Sequence, residues 1–287
     1  MSAARTAALA AAFVTSALVV SANCAQASLP DLRAPETVPR RVRVLDFRGR
    51  TPPFSVVFRY TALVPGAAGQ ADILQGEGHL NLHAFFTNLP PASRLGGDYL
   101  TYVLWSVTPE GRTSNLGEIE LTGTDGEIKT KISSLRFGLI VTAEPYLSVS
   151  YPNKAVVFEA DVPPRTTPAV PVSQALCELL SAPISADLVS AVATPLEDAA
   201  EPLEIREGRR AVTAARAAGA EHYAPDTFHT AQQLLQIAED LHTRGAPDKD
   251  VNDAGSEAAF VAEDARVLAV TRQQRAPQGR ASSAKDP

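Results

Sequence analysis

Apolar positions change their period along this chain. In the first half they recur at every second residue over short runs, as strands with one buried face require. Val42 and Val44 alternate with Arg43 and Leu45, and residues 54–60 are β-branched and aromatic. The same pattern predicts strands over 79–86, 99–107, 115–121, 127–132, 137–142 and 155–159 as well as 41–47. Pro109-Glu110-Gly111 fixes one φ and then frees the next, and Asp125-Gly126 is a hairpin signal because its turn needs positive φ. Strands at such spacing predict an antiparallel β-sandwich, immunoglobulin-like, over 41–160, with an open barrel as the alternative. Period two puts Tyr99, Thr101, Val103, Trp105 and Val107 on one face, expected to point inward.

From Leu203 the spacing becomes helical. Ile205, Gly208, Val212, Ala215 and Gly219 step by 3, 4, 3 and 4, with Glu204, Arg206, Glu207, Arg209 and Arg210 mostly opposite. Gly219 ends this helix and Pro225 opens the next, over 225–243, with Phe228, Ala231, Leu235, Ala238 and His242 on one stripe. A third helix begins near Asp248, where Ala254, Ala258, Val261, Ala265, Leu268 and Arg272 form a heptad-like seam. Short connections make neighbours antiparallel, so 201–275 should form an alanine-rich helical hairpin or three-helix bundle. Exposed positions on that seam, namely Phe228, Leu235, Ala258, Val261, Ala265 and Leu268, are candidates for docking a partner or a second copy.

Composition sharpens the boundary. Alanine occurs four times between 72 and 158 and 19 times between 199 and 276. The prolines of 162–171 withhold backbone donors and favour extended chain, which reads as a linker. The expected fold class is therefore α+β and multidomain. A secretory signal over 1–27 and an N-terminal extension over 28–40 precede the sandwich over 41–160. A proline-rich linker with a short helix over 161–200, the helical domain over 201–275 and a disordered tail over 276–287 follow.

The signal is read from Arg5, an uncharged run after it, and Ala25-Gln26-Ala27, the small-x-small pattern cut by a signal peptidase. Cleavage after Ala27 makes the protein periplasmic or secreted. Cys24 offers the competing address of a membrane-anchored lipoprotein, against which Ser21 and Asn23 depart from familiar lipoprotein signals. No later segment is long and apolar enough to cross a bilayer. Cys177 then stands alone, in an apolar context that suits a buried small side chain.

Two stretches carry resemblances. Residues 214–226, with Ala231, Leu234, Ala238-Glu239, Ala258 and Ala262-Glu263-Asp264-Ala265-Arg266, resemble a helical domain of unknown function found in envelope proteins of Gram-negative bacteria. The likeness covers about residues 204–275, and in that family the alanines form the helix–helix seam. The domain often precedes an OmpA-like module that binds peptidoglycan; residues 276–287 read instead as a tail, so wall attachment through such a module is not expected. Residues 99–119 are similar to the extracytoplasmic sandwich of anti-sigma factors, through Tyr102, Trp105, Gly111 and Leu116-Gly117.

Candidate chemistry is sparse. A net charge of −6 argues against nucleic-acid binding, and the densest positive cluster, Arg206, Arg209, Arg210 and Arg216, is partly neutralised by Glu204 and Glu207 and reads as a solvated helix face. His79 and His83 have helical zinc spacing but sit in a strand pattern, and His222, His229 and His242 read as ordinary surface or partly buried imidazoles. No nucleophile elbow, phosphate loop or dinucleotide fingerprint occurs. Glu118 and Glu120 share a strand face, where a solvated edge is the ordinary reading and a glycosidase pair the sharp one. The expectation is a non-enzymatic exported envelope protein, an interaction or scaffold module without cofactor or metal. It would bind an envelope protein, a second copy or the cell wall. Alternatives are a module binding a small molecule or wall fragment, with Trp105, Tyr99 and Phe85 as a stacking wall, and a hydrolase with an unrecognised site.

Overall fold

The computed structural model describes residues 36–162, 170–182 and 201–275; the signal segment, parts of the linker and the tail lie outside them. The fold is α+β, with a large antiparallel sheet followed by helices. Its strands are β1 (Thr37–Asp46), β2 (Phe54–Tyr60), β3 (Ala68–Gln75), β4 (Leu80–Thr87), β5 (Thr101–Val107) and β6 (Thr113–Glu118). They continue as β7 (Glu120–Thr122), β8 (Asp125–Ile132), β9 (Arg136–Glu144), β10 (Val156–Asp161) and β11 (Val172–Leu180). Three long helices, α1 (Leu203–Ala217), α3 (Pro225–Thr243) and α4 (Asp248–Arg275), follow, with the single turn α2 (Ala220–Tyr223) between the first two.

Strand β9 is the hub. Its start pairs with β1 at Leu45↔Phe137, and Ile140 then has Trp105 of β5 on one side and Glu159 of β10 on the other. From β10 the order runs β2-β3-β4-β8-β7. β7 follows β6 after Ile119, whose N–H donates to the Tyr102 carbonyl, and this brings the sheet back to β5. The sheet is thus nearly closed and barrel-like. Phe47, Phe58, Phe86, Tyr102, Phe137 and Phe158 fill its interior, the Phe47 and Phe54 rings stacking at 4.4 Å. β11 lies beyond β1 as an outer strand, in register from Thr37↔Leu180 to Leu45↔Val172.

The helices cover the outer face of β1, β5, β9 and β11. Val44, Val103, Trp105 and Ile140 share one apolar cluster with Ala211, Ala214, Ala259 and Ala262. β5 is therefore buried on both faces, which explains its continuous apolar run. The Thr101–Trp105 face meets the helices, while Tyr102 and Leu104 fill the barrel. Alanine seams bury less area than leucine ones, by about 0.8 kcal/mol for each missing methylene, so these helices depend on the sheet for their core. In exchange the backbones approach closely: a Cβ on Gly208 would lie 3.0 Å from the Gly255 carbonyl oxygen.

Two strands were not expected. β3, Ala-Gly-Gln-Ala-Asp-Ile-Leu-Gln, hides its alternation because its inward positions include the small Gly69 and Ala71 while the apolar Leu74 faces outward. β11 falls inside the stretch read as a linker with a short helix, since the prolines precede it and Ala175, Cys177 and Leu179 alternate inward. The hairpin near Asp125 exists, but its turn is Gly123-Thr124: Thr122 pairs with Asp125, and Gly126 lies within β8.

Candidate functional site

Polar groups converge where the helical layer meets the sheet. Trp105 is fully buried and donates from Nε1 to Thr142 Oγ1 at 2.8 Å; that hydroxyl donates to Glu144 Oε1 at 2.5 Å. Asn153, in the loop between β9 and β10, donates from its amide side chain to Glu144 Oε2 at 2.7 Å and from its backbone to Oε1 at 3.0 Å. The same loop holds α4. Tyr146 Oη and the Ser150 N–H donate to Glu263, each at 2.9 Å, while Ser148 Oγ donates to the Ala259 carbonyl. Arg266 closes the arrangement with two bonds to Glu263 at 2.6 and 2.7 Å. A buried, bidentate pair of this kind fixes orientation more than it adds stability.

A second group of carboxyls lies beside it. Glu118, at the end of β6, accepts a hydrogen bond from Thr101 Oγ1, and burial pushes its carboxyl up to about 7, with Glu204 and Glu120 adding repulsion. Glu207 of α1 is fully buried, neither oxygen has a hydrogen-bond partner among the described residues, and burial holds it well above the usual carboxylate range. Burial likewise pushes Glu144 up to about 8, against the hydrogen bonds from Thr142 and Asn153 that favour the anion. These groups hold protons near neutral pH. Glu144 and Glu207 are enclosed between sheet and helices, whereas Glu118 is half-buried and Glu120 exposed on either side of Ile119, which turns into the core.

Glu207 escaped the sequence reading, which placed it on the solvent side. Its signal is a second stripe, Glu207, Ala211, Ala214 and Ala218, spaced 4, 3 and 4, all buried. α1 has two inward faces, and one period analysis finds only the first.

The three candidate stacking residues occupy different surroundings. Trp105 lies in the sheet–helix core, Tyr99 packs half-buried against the barrel interior, and Phe85 is half-buried on β4 beside the His83 ring at 3.9 Å. His83 Nε2 in turn lies 2.7 Å from Glu127 Oε1 on the neighbouring strand. Among the described residues no group of three or more His, Cys, Asp or Glu side chains is arranged to hold a metal ion.

The candidate partner seam divides. Phe228, Ala258 and Ala265 are buried within the chain itself, Leu235 and Val261 are half-buried, and Leu268 remains 37% exposed. Around it Ile237, Phe260 and Val267 are also uncovered. Between α1 and α3 runs a groove of about 310 Å³ lined by Arg209, Val212, Arg216, Gln232, Leu235 and Gln236, among others. Arg209 is already paired with Glu201 and Glu239, and Arg216 with Glu221. No helix among the described residues is long and apolar enough to cross a membrane. No protein-family model, no curated protein and no solved structure matches the chain.

Proposed function

We propose that this is an exported, non-enzymatic protein of the cell envelope that acts as an interaction or scaffold module through its helical layer. The observation that carries the reading is the set of apolar side chains left uncovered on helices whose inner faces are already filled: Ile237 on α3, and Phe260, Val267 and Leu268 on α4. Phe260 is 53% exposed, a position that water tolerates and a partner would use. The signal-like residues 1–27 and the resemblance over 204–275 supply the address. Cleavage after Ala27 would release the chain, and lipidation at Cys24 would anchor it. The fold reading extends to a helical hairpin or three-helix bundle, supported by the short 244–247 connection.

Cross-linking in cells and sedimentation of the purified protein test this, alone and with cell-wall sacculi, on wild type and on Phe260→Asp combined with Leu268→Asp. Both substituted positions are exposed, so the melting temperature should stay within a few degrees while the cross-linked species disappears. A wild type that sediments as a monomer, cross-links to nothing and leaves sacculi unbound would end the proposal. The groove between α1 and α3 favours a second reading, binding of a small polar molecule, although it lies among helices rather than against Trp105.

A further inference from the structure

Glu207 sits where α1 meets the barrel. Glu118 of β6 and the backbone of Leu147 lie on the sheet side, and Glu204 and Arg206 on its own helix. The Leu147 N–H approaches without completing a hydrogen bond. Glu144, in the same interface, faces Glu263 of α4 together with Thr142 and Asn153. Glu263 is paired with Arg266, whereas among the described residues Glu144 and Glu207 have no cation in ion-pair contact. A carboxylate buried in this way is costly, and its simplest escape is to keep its proton.

We propose that docking of the helical layer on the barrel is a proton latch: α1 closes on the sheet with Glu207, Glu118 and Glu144 carrying protons, and loss of those protons loosens α1 and α4 from the barrel's outer face. Each group binds its proton more tightly when docked than when exposed, where the ordinary value is 4.5. Their contribution is therefore complete below about 4.5 and fades as pH rises through about 7 for Glu118 and about 8 for Glu144, with Glu207 later still. Acid closes the latch and alkali opens it. The phenols of Tyr99 and Tyr146, also facing Glu144, are pushed up by burial and stay neutral through this range.

The protein carries its own reporter. Trp105 is the single tryptophan, buried beneath the helices and hydrogen-bonded to Thr142, which in turn bonds Glu144. The test is tryptophan emission, together with amide hydrogen exchange corrected for its intrinsic rate, on the full chain between about pH 5 and pH 9. Protection of α1 should fall by more than about tenfold relative to β3 and β4 between about pH 6 and 9, with a red shift of Trp105 emission over the same interval. Glu207→Gln, or Glu207→Met if the amide variant does not fold, should remove most of that response. Emission and α1 protection that stay flat in the wild type overturn the proposal. So does a fall in β3 and β4 parallel to that of α1, which would be global unfolding, or a response kept in full by the folded Glu207 variant.

Discussion

At Gly111 the turn between β5 and β6 touches another strand's backbone. A Cβ there would lie 1.9 Å from the Leu176 carbonyl oxygen of β11, and φ is +83°. Gly66 shares the left-handed conformation, at +84°, but has nothing within 4 Å. Gly66→Ala should therefore cost about 1 kcal/mol, from conformation alone. Gly111→Ala should cost about 3 kcal/mol or more, because β11 must move as well. Urea denaturation of the two variants decides: equal losses would mean that the β11 contact carries no weight. The turn itself was legible in Pro109-Glu110-Gly111, but not the strand it presses against, because that partner is distant in sequence. Trp105 was legible in the same limited way. Its role as an anchor follows from its strand, while the layer it faces depends on helices a hundred residues later.

The elements differ in how openly the sequence declares them. α1, α3 and α4 are marked by Gly and Pro at their ends and by stripes spaced three and four apart, and these features are local. β11 is not, because its strand state is created by pairing with β1, and its prolines mask it. What joins helix to strand is also nonlocal: Glu263 of α4 meets Tyr146 and Ser150, more than a hundred residues away. Glu263→Ala would leave the Arg266 guanidinium, 13% exposed, without its counter-charge, a loss of about 3–5 kcal/mol. Tyr146→Phe removes one hydrogen bond to a charged group and should cost about 1.5–3 kcal/mol. Thermal melts of the pair should rank Glu263→Ala as the more damaging. The reverse order would show that the tyrosine, rather than the ion pair, fixes α4 on the loop.

For the molecule as a whole, the composition boundary near residue 161 does not coincide with a break in packing. All described residues belong to one compact unit, and one apolar cluster runs from Val44 and Ile140 of the sheet to Ala211 and Ala265 of the helices. Alanine and β-branched residues separate the chain into regimes because helices and strands differ in local preference, not because the halves fold apart. Such a core predicts a single cooperative transition in calorimetry. A chain ending before Leu203 would expose Val44, Val103, Trp105, Val107 and Ile140 as one continuous patch. Fully burying each such side chain is worth about 1.5–3 kcal/mol, more in sum than a typical domain's net stability margin of about 5–15 kcal/mol can readily lose. The truncated chain should therefore aggregate or bind a hydrophobic dye, and its Trp105 emission should shift to the red. A soluble truncated barrel with unshifted emission would mean that the barrel interior alone sustains the fold, and that the helices are a cover it can do without.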